Sequence, residues 1–223
     1  MSKTCPATAV RQAWDAGQRD FGENHVQEAL EKMAALADLR PEIAWHLIGP
    51  LQANKTRVVA EQFDWVHSLD RLKLAERLSA QRPPGLPPLN ICLQVNISGE
   101  ASKAGVAPID LPPLARAVAA LPRLRLRGLM AIPAPALGFD AQRLPHRALR
   151  ALRDALNAET GFALDCLSMG MSADLEAAVA EGATWVRIGT AIFGARAPAA
   201  PQGWAGTRSS SLKGATSDGS GSA

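Results

Sequence analysis

Two loops in the last third of the chain carry residue types suited to holding an anion. In "LSMGMS" (167 to 172) and "VRIGTAIFG" (186 to 194), the small residues Ser168, Gly170, Ser172, Gly189 and Thr190 let backbone N–H groups and hydroxyls come close to a phosphate. A helix start after each loop would add a favourable dipole. Tight strand-to-helix turns call for the same small residues, so the spacing leaves both readings open. Arg187 stands between Val186 and Ile188 in an apolar run whose alternation turns it toward an interior or its rim. A buried guanidinium keeps its charge and needs an acceptor, either a structural carboxylate or a ligand. At the other end of the chain, Lys3 in "MSKTCP" is by default a frayed, solvated amine.

The elements that must position these groups are legible as an alternation. Apolar runs of strand length occur at 19–24, 43–49, 64–70, 90–98, 124–132, 164–171 and 184–194, separated by segments with apolar residues three or four apart. Such a pattern predicts a parallel sheet, doubly wound or closed into a barrel. Asp70 and Ser172 are expected as helix N-caps and Gly161 and Gly182 as helix stops. Seven runs are one short of a (β/α)8 barrel, and the only place left for the eighth is before the helix at 6–18. Lys3 would then stand at the C-terminal end of a first strand whose body is missing, on the face where barrels carry their sites. One domain is expected over 1–196, followed by a disordered tail over 197–223 rich in Ala, Gly, Ser and Pro.

Composition narrows the classes. The chain has 223 residues, 47% of them hydrophobic, enough for one good core, and a formal charge of +3. Most basic residues alternate with carboxylates along helices, and "RLRLR" at 123–127 reads as a strand with one wet face, so no nucleic-acid partner is expected. Cys5, Cys92 and Cys166 are too far apart for a metal or redox motif and are expected to be reduced. No signal-like segment and no apolar run of membrane-spanning length is present, which predicts a soluble cytoplasmic protein.

Longer motifs carry a resemblance. "SKT", "DFGENHVQEALEKM", "WHLIGPLQANK", "VHSLD", "LQVNISGEASKAGV", "GLMAI" and "LSMGMSADLEAAVAEGATWVRIGTAIFGAR" together resemble the pyridoxal phosphate homeostasis protein family, over residues 2–196. The resemblance implies a (β/α)8 barrel of the alanine racemase N-terminal-domain type, here without most of strand 1, that binds pyridoxal 5′-phosphate. It implies that Lys3 forms the Schiff base and that Ser168, Gly170, Gly189 and Thr190 take the phosphate. Arg187 matches the arginine facing the pyridine nitrogen, and Asn24, His46, Asn54 and Lys103 fall in motifs around the same face. Of the six lysines, only Lys3 and Lys103 sit where a strand-end pocket would be; Lys32 and Lys73 read as helix-surface charges.

An arginine against the pyridine nitrogen disfavours protonation there and weakens the ring as an electron sink. Racemisation on the related fold uses a second base, a tyrosine, and this chain has none. The expected function is therefore a carrier or buffer of the cofactor in vitamin B6 and amino-acid homeostasis, not an enzyme, with apo-enzymes as recipients and a monomeric state. A slow pyridoxal phosphate-dependent racemase is the alternative. The shortened first strand predicts weak cofactor binding or poor folding, or a start upstream of Met1, and the nearby α-amino group is a rival for the aldehyde. His25 and Cys5 depart from the family pattern, with His25 expected on a helix surface.

Overall fold

The computed structural model describes residues 1–100 and 103–194. The expected tail lies outside the described residues. Six strands, β1 (Asp20–Glu23), β2 (Ala44–Leu47), β3 (Trp65–Leu69), β4 (Leu89–Gln94), β5 (Leu124–Met130) and β6 (Cys166–Ser168), pair in chain order, and every pairing is parallel. Helices α1 (Ala7–Asp15), α2 (Val26–Ala35), α3 (Thr56–Gln62), α4 (Leu72–Gln81), α5 (Leu111–Ala119), α6 (Phe139–Thr160) and α7 (Leu175–Ala180) alternate with them, and a short α8 (Thr190–Phe193) follows.

Strand alternation divides the core in two. Phe21, Trp45, Val66, Leu89, Ile91 and Leu129 pack outward against helix residues such as Val10, Ala29, Val59 and Leu78. Inside the curved sheet lies a smaller cluster of Ile48, Trp65, Cys92, Met130 and Cys166, with Met1 and Trp185 against it. Burying each large side chain here contributes about 1.5–3 kcal/mol. Strands β5 and β6 approach so closely that a Cβ on Gly128 would lie 1.9 Å from the Cys166 carbonyl oxygen.

The seventh apolar run is not a full strand. It touches β6 through one parallel bridge, Ser168 with Trp185, and then coils into α8. Met1 and Ser2 stand between it and β1. The Met1 amino group donates to the Ile188 carbonyl (2.6 Å), and the Ser2 N–H donates to the Gly22 carbonyl (2.9 Å).

The capping expectations are corrected in part. Arg71 and Asp174 occupy the N-cap positions of α4 and α7, so neither Asp70 nor Ser172 caps a helix. Asp174 is instead fastened to the loop before α7 by accepting the Met171 N–H (2.7 Å). Gly161 does end α6 in the left-handed conformation, and Gly182 follows α7 with φ +83°. The wet face of "RLRLR" is realised by Arg127, which clasps Asp165 and covers the Trp65 ring (4.9 Å) at the lower mouth of the sheet. Cys92 and Cys166 are buried thiols, and among the described residues no helix is long and apolar enough to cross a membrane.

Candidate functional site

Lys3 sits on a β-turn, not on a strand. The Cys5 N–H returns to the Ser2 carbonyl (3.0 Å), and Thr4 takes φ +64°, as the third position of a type II turn requires. A threonine there is strained by roughly 1 kcal/mol or more, and the surrounding contacts must hold it. They come from β1 and α2. Lys32, buried, donates to the Ser2 carbonyl (2.5 Å) and to the Glu23 carboxylate (2.8 Å) and pairs with Glu28 (2.7 Å). The Ser2 hydroxyl donates to Glu23 (2.6 Å), and the Thr4 N–H donates to Glu28. Burial pushes the Glu23 carboxyl above its ordinary range, against the pull of Lys32 and Ser2.

The sequence reading placed Lys32 on a helix surface; the structure corrects this. The signal was available, because Lys32 stands three residues after the buried Ala29 and four after Glu28, on the inward stripe of α2.

Above the turn opens a cavity of about 600 Å³, lined by Lys3, Asn24, Lys103, Ser172, Arg187, Gly189 and Thr190 together with apolar residues such as Ile48 and Ile132. The Lys3 carbonyl accepts the Thr4 hydroxyl (2.6 Å), while its side-chain amine has no hydrogen bond or ion pair among the described residues. Lys103 pairs with Glu100 (3.2 Å) at the rim. Arg187 is 7% exposed and has no carboxylate within ion-pair reach among the described residues. Its Nη1 donates to the Ser168 hydroxyl (3.1 Å) and its Nη2 to the Ala131 carbonyl (2.9 Å). Burial lowers it to about 10, which leaves it a cation at neutral pH. The buried Asn24 Oδ1 has no hydrogen-bond partner.

Five of the nine residues expected in the site, Lys3, Asn24, Arg187, Gly189 and Thr190, meet in this cavity. The other four do not. Ser168 is fully buried beneath it, its hydroxyl engaged by Arg187 and His67, and the serine that lines the cavity is Ser172. Gly170, at φ +89°, serves packing: a Cβ there would lie 2.5 Å from the Ala178 Cβ. Its carbonyl accepts the Arg187 N–H (2.9 Å). Asn54 is exposed in a short 3-10 helix at Ala53–Lys55, because the chain lines the cavity with Gly49 and Pro50 and then turns outward. His46 lies below, in a second cavity of about 260 Å³ that shares Arg187 with the first. His25 is exposed beside α2, as expected, and the Met1 amino group is occupied by Ile188.

His67 was missed, although "WVHSL" puts Trp65 and His67 on one face of β3. It bridges His46 (2.9 Å) and Ser168 (2.8 Å), and burial, then the charges of His46 and Arg187, drive its pKa well below the ordinary imidazole value.

Comparison with known proteins accords with this arrangement. Residues 4–197 match the family described as the alanine racemase N-terminal domain. The chain is 66% identical over 201 residues to the pyridoxal phosphate homeostasis protein of Pseudomonas aeruginosa, covering 90% of this chain and 85% of that protein. It is 55% identical over 197 residues to the protein of the same name in Escherichia coli, with 88% and 84% covered. Among solved structures, PipY of Synechococcus elongatus superposes with a TM-score of 0.81 at 45% identity without pyridoxal phosphate, and 0.79 at 43% with it bound. Both cover 86% of this chain and 90% of PipY. An alanine racemase of Clostridium difficile (TM-score 0.68, 10% identity, 85% of this chain and 50% of that one) shares the fold alone. With a matching family domain over most of its length and relatives more than half identical, the chain belongs to the pyridoxal phosphate homeostasis protein family.

Proposed function

We propose that this chain binds pyridoxal 5′-phosphate through Lys3 and carries or buffers it in vitamin B6 and amino-acid homeostasis, with little or no turnover. One observation carries the reading: a lysine amine without a partner and a buried arginine without a carboxylate line one cavity, with the unpaired Asn24 Oδ1 beside them. The residues present fit the group. Lys3 is the amine for the aldehyde, joined to it with loss of water. Ser172, Gly189 and Thr190 supply the small, polar lining that suits a phosphate, in place of the Ser168 and Gly170 expected from sequence. Arg187 is the cation for the ring nitrogen.

When bound, the cofactor supplies an electrophilic carbon and an electron-withdrawing ring. A fixed guanidinium at the ring nitrogen keeps a proton off it and mutes that ring. The chain has no tyrosine to act as a second base, which favours the carrier over the slow racemase. Delivery to apo-enzymes, a monomeric state and a cytoplasmic setting complete the reading.

The test is direct. The protein mixed with pyridoxal phosphate should develop the visible absorption of a lysine-bound cofactor, and K3A should lose it while still folding. Incubating the loaded protein with L-alanine in deuterated water should give no α-deuterium at catalytic rates; rapid exchange would move the protein to the racemase class.

A further inference from the structure

Beneath the cavity, four side chains connect Arg187 to the lower mouth of the sheet. The Arg187 Nη1 meets the Ser168 hydroxyl (3.1 Å), which meets His67 Nδ1 (2.8 Å). His67 Nε2 meets His46 Nδ1 (2.9 Å), and His46 Nε2 meets Asp20 Oδ1 (3.0 Å). The three middle members are buried, at 0%, 1% and 3% exposure; all five groups border the second cavity, and only the Asp20 side chain, 38% exposed, reaches far into solvent. The His46 ring is stacked on Trp65 (5.4 Å, 7°) and tilted against Trp185 (4.9 Å), so it cannot turn without displacing both.

Donor and acceptor counting gives this chain one direction. A guanidinium only donates and a carboxylate only accepts. Ser168 therefore accepts from Arg187 and gives its single hydroxyl hydrogen to His67 Nδ1. Neutral His67 then carries its proton on Nε2 and donates to His46 Nδ1, and His46 donates through Nε2 to Asp20. The opposite order would set two donors against Ser168 and leave its buried hydroxyl hydrogen without an acceptor among these side chains, a cost of about 1–3 kcal/mol.

We propose that His67 and His46 are positioning residues for Arg187: a one-way hydrogen-bonded chain ending at Asp20 fixes Ser168 as an acceptor and so sets which guanidinium N–H groups face the cofactor cavity. With Nη1 tied to Ser168 and Nη2 to Ala131, the Nε–H and one hydrogen on each Nη stay available to a ligand. The inference rests on the reading that the cavity takes pyridoxal phosphate.

Its first test needs no cofactor. At about pH 8, above the ordinary imidazole range, NMR of the ring nitrogens should show His67 and His46 both as the Nε2–H tautomer, together with sharp, separately resolved Arg187 Nη signals, because Nη1 is tied to Ser168 and Nη2 to Ala131. A proton on His67 Nδ1 would overturn the proposal. H46F keeps a ring between Trp65 and Trp185 but removes the acceptor that orders His67, so His67 should become a tautomer mixture and the Arg187 signal should broaden. The second test uses the cofactor. H67L should weaken pyridoxal phosphate binding roughly tenfold, and the nitrogen resonance of ring-labelled bound cofactor should move toward the protonated position. H67N, which keeps an acceptor for Ser168, should recover most of the affinity. Folded H46F and H67L proteins with unchanged affinity and unchanged ring-nitrogen signal would reduce the chain to a structural role and overturn the proposal. If the unmodified protein took up no pyridoxal phosphate, the functional reading would fall instead, while the tautomers and the Arg187 signal would still decide whether the chain orders the guanidinium.

Discussion

At the scale of single residues, the amine that matters depends on another amine. Lys32 has its charge balanced by Glu23 and Glu28 while its N–H groups hold the carbonyl just before Lys3. K32M would leave a buried Glu23 without its cation, so a loss of about 3 kcal/mol is expected in denaturant unfolding. Labelling of Lys3 by the cofactor should slow in parallel, because the turn loses its anchor. A second residue-scale prediction concerns Arg127 and Asp165. Hydrogen bonds from Arg127 draw Asp165 from 3.8 down to about 2. Since the folded value lies below the unfolded one, the pair stabilises fully above about pH 4 and its contribution is lost as the pH falls through about 2. The Asp165 side chain is 56% exposed, so solvent screening limits the effect to about 0.5 kcal/mol. Urea unfolding of D165N should show that small deficit near neutral pH and none near pH 2. That Lys3 and Arg187 face one cavity was legible from motif and alternation. Lys32 and His67 were not, because their roles depend on which face of α2 and β3 turns inward against neighbours distant in sequence.

At the scale of elements, the six strands were readable because each apolar run is flanked on both sides by runs of similar length. The seventh had the same apolar content but meets β6 through a single bridge before turning into α8, and it is backbone pairing, not apolar content, that makes a strand. The caps were misassigned for a related reason. Ser172 and Asp174 are both short polar residues before α7, and only the three-dimensional turn decides that Asp174 takes the loop N–H and Ser172 faces the cavity. Ser168 and Ser172 part in the same way: of these two residues along that loop, the first faces the buried side and the second the larger cavity, a direction the spacing does not reveal. The contact between β5 and β6 permits a sharp prediction. G128A would drive a methyl group into the Cys166 backbone, which cannot yield without separating the strands. A loss on the order of 3–5 kcal/mol, or failure to fold, is expected by thermal unfolding. A Gly85→Ala change, where the added Cβ meets nothing within 4 Å, is the matched control.

At the scale of the whole molecule, the sheet is continuous from β1 to β6, and the segment at 185–188 joins it through a single bridge to β6. Hydrogen exchange should therefore be graded. Amides of β3, β4 and β5, paired on both sides, should be the slowest, and those at 184–188 should exchange first within the barrel wall. Uniform protection around the ring would contradict this. The candidate cavity has walls of both kinds: Lys3 and Asn24 line it from the β1 side, Arg187, Gly189 and Thr190 from the singly bridged segment and the turn after it. A molecule gripped from both sides would act as a clasp between them, and part of the free energy its binding releases would go into holding the singly bridged segment in place. Cofactor loading would then read out as mechanics: stiff at residues 185–190 when filled and compliant there when empty.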